Sequence, residues 1–206
     1  MSKYIELNPY SPHQQVLTEL VKEIQNGKVI AYPTDSGYAL GCKMGAKKPM
    51  KKIQQIRQLD DTHNFTVICR DLSEISVYAK VDNPTYRALK RCTPGGFTFI
   101  LSATNKVPDL MLNKKKKTIG IRIPDHPVPL LIADAYGEPI LSTTLILPGE
   151  IAPLIYPEDV DSNLSDQVDI IVDAGYCGYD PTTVVDFTTL PPEVLRHGSG
   201  DHQLFE

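Results

Sequence analysis

The chain has no tryptophan, only 7% aromatic residues, and four cysteines in 206 residues. Cys42, Cys69, Cys92 and Cys177 are scattered singly, so no CxxC pair suggests a zinc site and no disulfide framework is indicated. Buried thiols in a reducing cytoplasm are the expectation. No apolar run approaches the roughly 20 residues that cross a bilayer. The opening "MSKYIELNPY" lacks an apolar h-region, so no secretory signal and no membrane partner are expected, and the chain reads as cytoplasmic. There is no GxxxxGK[ST] loop, so a nucleotide is not held as in P-loop proteins. No GxGxxG follows the first strand candidate, which argues against a Rossmann dinucleotide site. His63 and His126 stand alone, and the glycines of "HGSGDH" suggest a mobile turn around His197 and His202. No metal site and no hydrolytic triad are predicted.

What is present is enough apolar residue for one sizeable core (41%), and a single domain over residues 1–206 is expected. Val16, Leu17, Leu20, Val21 and Ile24 predict a helix, with Ser11 as cap, Pro12 in the first turn and Gly27 as its end. Further helices are expected over 47–59, over 83–92 with Asn83 as cap, over 128–137, and over the acidic stretch 157–166. Strands are expected at 28–32, 64–70, 96–103, 118–124, 139–147, 168–175, 182–188 and 193–198. Helices alternate irregularly with many strands, so the fold class is α/β (α+β) with a mixed sheet.

Charge is unevenly spread around a net of −4. Residues 36–59 contain Lys43, Lys47, Lys48, Lys51, Lys52 and Arg57 and no acid. Residues 87–122 contain Lys114, Lys115, Lys116, Lys117 and further cations against Asp109 alone, while residues 150–206 are acidic apart from Arg196. A basic face for an anionic partner is one reading, and solvated lysines are the other. Several strand ends are rich in hydroxyls: Thr34-Asp35-Ser36, Thr118, Ser142-Thr143-Thr144 and Thr182-Thr183. Gathered at one mouth of a sheet, they could hold a polar ligand. Arg122 interrupts the apolar "IGIRIP" and Arg196 interrupts "EVLRHG". A half-buried arginine needs an anion, supplied either by a ligand or by an internal carboxylate.

Together, "VIAYPTDSGYALGC", "PGGFTFIL", "TIGIRIPDHP", "EPILSTTLILPG", "PTTVVDFT" and "VLRHG" resemble the YrdC-like family of threonylcarbamoyl-AMP synthases, in order and over residues 12–200. "YPTDSGYALGC" and "IRQLDDTHNFTVICRDLSE" look most like its YciO branch. The resemblance implies a twisted sheet flanked by helices, with an open, concave, basic face that binds nucleotide. It implies chemistry on L-threonine, bicarbonate and ATP with Mg²⁺, no tightly bound cofactor, and a product used in the t⁶A modification of tRNA. Carried over by motif, Thr34, Arg122 and Thr182 would hold threonine. Arg57, Thr118, Ser142, Thr144 and Arg196 would line the ATP site, and Arg57 and Arg122 would act in catalysis. Two departures reduce that expectation. The family's Lys-x-Arg is Arg57-Gln58-Leu59 here, and its Ser-x-Asn is Thr144-Leu145-Ile146. Losing one preorganised donor can cost roughly a hundredfold in rate. A weak or divergent synthase is therefore one expectation. A nucleotide-binding protein that holds tRNA or double-stranded RNA through Lys47, Lys48, Lys51, Lys52 and Lys114 to Lys117 is the alternative, and a small-molecule hydrolase on the same scaffold a third.

Overall fold

The apolar stripe Leu17, Leu20 and Ile24 forms the inner side of helix α1 (Gln14–Gln25). In this computed structural model, residues 1–60, 63–113 and 115–205 are described. Helix α1 starts later than Ser11 and Pro12 suggest, with His13 at its N-cap. Ser11 is held instead in the preceding turn, where its N–H donates to the Asn8 carbonyl (3.3 Å). Gly27, at φ +78°, closes the helix as expected.

The other helices are α2 (Lys47–Arg57), α3 (Leu72–Tyr78), α4 (Asn83–Cys92), α5 (Pro127–Tyr136) and α6 (Pro157–Leu164). Asp82, not Asn83, caps α4, because its carboxylate accepts the Thr85 N–H at 2.8 Å. α3 is too short to show a helical period in the sequence. Its Asp71 cap accepts the Glu74 N–H at 2.8 Å. Among the described residues, no helix is long and apolar enough to cross a membrane.

Among the described residues, ten strands form one mixed sheet: β1 (Lys3–Glu6), β2 (Ile30–Thr34), β3 (Gly37–Lys43), β4 (Thr66–Ile68), β5 (Phe97–Ser102), β6 (Thr118–Arg122), β7 (Ile140–Thr144), β8 (Ile170–Asp173), β9 (Thr183–Asp186) and β10 (Glu193–Arg196). Their order is β1-β8-β2-β3-β7-β4-β6-β5-β9-β10. Pro33 is tolerated in β2 because only Ile30 and Ala31 pair with β8. Beyond them β2 has β3 as its single neighbour.

The two faces are covered unequally. On one, Leu40, Val67, Phe99, Ile121, Leu141 and Val185 pack against α2, α3, α4 and α6 in a continuous core. On the other, Ile30, Tyr32, Ala39, Ile140 and Ile170 pack against α1 and α5. Those two helices lie over the β1-β8-β2-β3-β7 part of the sheet, and α5 reaches β4. Towards β6, β5 and β9 this second face is polar, and it is where the candidate site lies.

His126 is the N-cap of α5, and its Nδ1 accepts the Val128 N–H at 3.2 Å. That bond requires the neutral ring. Burial lowers the His126 pKa, against an opposing pull from Asp35 and Asp125. The unfolded chain therefore takes up a proton at a higher pH than the folded one, and stability falls as pH drops from about 6.5 towards the lower folded value. In urea unfolding at pH 7.5 and 5.5, His126→Asn keeps a cap and should lose less stability on acidification than the parent.

Candidate functional site

Strand alternation puts every second residue on the open part of the face. In β6 these are Thr118, Gly120 and Arg122, and in β9 and its lead-in they are Thr182, Val184 and Asp186. One transverse row of register partners runs Gly41, Ser142, Thr66, Gly120, Ile100, Asp186. Over this row opens a cavity of about 400 Å³, within the size range of small-molecule sites.

Arg122 lines the cavity but is itself only 6% exposed. Its Nη1 donates to Ser36 Oγ at 2.8 Å, and its Nη2 forms an ion pair with Asp35. Both internal and ligand readings of this arginine therefore have a physical basis. Asp35 offsets the charge, yet a guanidinium has five N–H donors and these two contacts occupy two of them. The buried Nε has no partner among the described residues.

Arg196 approaches from the sheet edge. Glu193 pairs with Asp186 and Val194 with Val185, but Arg196 pairs with Val184, so Leu195 is an extra residue in a β-bulge. The bulge lets two adjacent residues, Leu195 and Arg196, both line the cavity, which a regular strand forbids. Arg196 Nε donates to the Thr182 carbonyl and its Nη2 to the Thr182 hydroxyl, each at 2.9 Å. Burial lowers the Arg196 pKa, and the nearby charge of Arg122 lowers it further. Two like charges on separate strands thus face one hollow.

The hydroxyls anticipated from sequence divide into two groups. Thr34 Oγ1 donates to the Gly37 carbonyl (2.7 Å) and accepts from the Ser36 N–H (3.1 Å), so it builds the wall that orients Ser36. Ser142 is bonded to the Tyr32 hydroxyl (2.7 Å), whose own pKa burial pushes up to about 12. Thr182 is tied to Thr98 (2.8 Å) as well as to Arg196. By contrast Thr66, Thr118 and Thr144 line the cavity with hydroxyls that bond no other described side chain.

Arg57 is not among the cavity-lining residues. Its Nη1 donates to the Ile146 carbonyl, and burial lowers its pKa. The two segments that depart from the family motifs, 57–59 and 144–146, therefore meet in one contact. His63 lines the cavity near this point, with Nε2 3.2 Å from Thr143 Oγ1. Burial, then the charge of Arg57, lowers its pKa. Lys47, Lys48 and Lys51 are exposed on α2, or nearly so, and Lys52 pairs with Asp169 at 2.8 Å. Because α2 packs on the opposite face of the sheet, these lysines stand apart from the cavity. Of the later run, Lys116 lines the cavity, Lys117 lies 4.0 Å from Asp109, Lys115 is exposed, and Lys114 lies outside the described residues. Sequence reasoning missed Thr66, Thr98, His63 and Asp186. The period-two pattern Thr98-Ile100 and Thr182-Val184-Asp186 was the available signal.

Comparison with known proteins fits this architecture. The Sua5/YciO/YrdC family model, described as telomere recombination, matches residues 22–198. The YciO protein of Escherichia coli is 48% identical over 100% of both chains. A threonylcarbamoyl-AMP synthase of Vibrio campbellii is 27% identical, covering 87% of this chain and 97% of its own. The crystal structure of E. coli YciO superposes with a TM-score of 0.95, over 100% of both chains. That of P. abyssi Sua5 complexed with L-threonine gives 0.87 at 22% identity, over 96% of this chain and 58% of Sua5, and so bears on the fold alone.

Removing one partner of a buried ion pair leaves the other charge uncompensated, at about 3–5 kcal/mol. Asp35→Ala should therefore lower unfolding stability by about that amount in denaturant titration. Asp35→Asn, which keeps a hydrogen-bond acceptor for Arg122, should lose less.

Proposed function

The chain belongs to the Sua5/YciO/YrdC family, and from that premise we propose that its cavity binds ATP and L-threonine and joins them, with bicarbonate, into L-threonylcarbamoyladenylate at a reduced or shifted rate. The observation that carries this reading is the convergence of Arg122 and Arg196 on one hydroxyl-lined hollow. Arg122 receives the threonine carboxylate on the donors that Asp35 and Ser36 leave over. Thr66, Thr118 and Thr144 offer hydroxyls to phosphate and ribose oxygens.

In the reaction, the threonine amine bonds to the carbon of bicarbonate with loss of water, and a carbamate oxygen of the resulting N-carboxylated threonine attacks the α-phosphorus. The bond from that phosphorus to the bridging oxygen breaks, and pyrophosphate leaves with the electron pair. Little proton transfer is required of the protein, so positioning and cationic stabilisation supply most of the acceleration. No group of three or more His, Cys, Asp or Glu among the described residues is placed to hold a metal. A Mg²⁺ ion would be carried by the substrate phosphates and water, as is usual for that ion. The reduced rate follows from Arg57, whose Nη1 is committed to the Ile146 backbone and whose side chain does not line the cavity. The product would serve threonylcarbamoylation of a tRNA adenosine.

Purified protein given ATP, L-threonine, bicarbonate and Mg²⁺ should release pyrophosphate above a protein-free blank. Arg122→Ala should cut that rate by roughly a hundredfold or more. Equal rates in parent, variant and blank would remove the synthase reading.

A second reading, binding of tRNA or duplex RNA without adenylate chemistry, is favoured by the solvent-facing Lys47, Lys48 and Lys51 of α2. Binding dominated by phosphate contacts weakens steeply with salt. A Lys47→Glu/Lys48→Glu/Lys51→Glu variant should then bind tRNA more weakly and with a shallower salt slope in filter binding. No retention of tRNA by the parent at low salt would rule this reading out.

A further inference from the structure

Asp186 ends β9 inside the cavity and is 2% exposed. Its Oδ1 accepts both the Thr188 N–H (2.8 Å) and the Thr188 hydroxyl (2.6 Å). This anchoring leaves Oδ2 facing the ammonium of Lys116, 3.6 Å away. The Lys116 side chain is otherwise 64% exposed. A lysine that open to water is usually free to wander. Here a buried carboxylate, which would be costly to leave alone, holds it over the hollow.

The backbone of Lys115, Lys116 and Lys117 is itself bonded to Asn113. Asn113 Oδ1 accepts the N–H groups of Lys115 (3.1 Å) and Lys116 (3.0 Å), and the Asn113 carbonyl accepts that of Lys117 (2.9 Å). Lys117 adopts the left-handed conformation at φ +53°. Asn113 Nδ2 also donates to Asn64 Oδ1 (3.3 Å), which ties Asn113 to the segment before β4.

The cavity consequently has two cationic poles. Arg122 ends β6, with Arg196 beside it, while Lys116 stands just before Thr118, the first residue of the same strand. Thr182, which holds the Arg196 guanidinium, and Asp186, which holds the Lys116 ammonium, are four steps apart along β9 and its lead-in, roughly 13 Å. One carboxylate or one phosphate is too small to reach both poles. A ligand assembly with an anionic group at each end matches them, and the unbonded hydroxyls of Thr66 and Thr118 lie between.

Resting on the nucleotide reading above, we infer that Lys116, steadied by Asp186, receives the polyphosphate end of a nucleoside triphosphate, while the arginine pole receives the carboxylate of the second substrate. The ammonium has three N–H donors, enough to keep Asp186 and still bind phosphate oxygens. Lys116 is thereby separated in role from its neighbours in the lysine run.

Isothermal titration of the full chain with ATP, adenosine and inorganic tripolyphosphate tests this. Lys116→Gln should weaken ATP and tripolyphosphate by roughly tenfold or more and leave adenosine unchanged. Lys116→Arg should stay within about threefold of the parent, and Lys117→Gln, which alters net charge equally, should match the parent. Thermal unfolding of each variant verifies that it is folded. The inference is overturned if Lys116→Gln binds ATP and tripolyphosphate as the parent does, or if Lys117→Gln loses as much. Lys116-dependent tripolyphosphate binding without ATP binding supports the phosphate role and removes the nucleotide reading. A parent that binds neither ligand removes both.

Discussion

A guanidinium buried at position 122 is the constraint on which the site depends. Its partners, Asp35 and Ser36, follow β2, whereas Arg122 ends β6. Three strands, β3, β7 and β4, lie between them in the sheet. In a flat sheet β2 and β6 would be about 19 Å apart, beyond the reach of one side chain. The contact closes because the sheet twists and curls, and because the 34–37 turn folds over the face. The bond from Arg122 to Ser36, the bond from Ser36 to Thr34 and the bond from Thr34 to the Gly37 carbonyl form one chain. The same curl that satisfies the arginine makes the face concave.

Helix coverage explains why the cavity is where it is. The face packed on α2, α3, α4 and α6 is apolar along its length. The other face is apolar under α1 and α5 and carries threonines, serine, arginine and aspartate beyond them. Polar side chains at alternate positions of β5, β6, β7 and β9 would be destabilising beneath a helix, and they are tolerated because water or a ligand reaches them. The charges are arranged in opposed pairs, Arg122 with Asp35 and Lys116 with Asp186, while Arg196 is held by the hydroxyl and carbonyl of Thr182. Such a surface presents cationic donors without carrying a large unbalanced field.

The fate of Arg57 gives the two motif departures one physical meaning. A leucine and an isoleucine stand where the family pattern has an arginine and an asparagine, at 59 and 146. The surviving cation donates to the backbone carbonyl of that isoleucine. Hydrocarbon at those positions favours closing the gap between the two segments over keeping polar groups open to a ligand. His63 lies beside Thr143 and lines the cavity there.

Hydrophobic period and turn chemistry are local properties, and they sufficed for α1, for the strands around Arg122 and for the hydroxyl-rich ends at Thr34, Ser142 and Thr182. Short elements such as β1 and α3 escaped because a few residues show no period, and the seven-residue β3 escaped because it is buried on both faces and so does not alternate. Sequence alone also implied that Arg122 and Arg196 need anionic or polar partners, since burying a guanidinium without them is costly. Which partner each one took was decided only in three dimensions. Asp35 reaches Arg122 through the curl of the sheet, and Arg196 turns inward because Leu195 bulges from β10. Lys116 joined the cavity, and Lys47, Lys48 and Lys51 did not, because α2 packs on the opposite face. Register and curvature come from the sum of packing over the whole sheet, and no local stretch of residues encodes them.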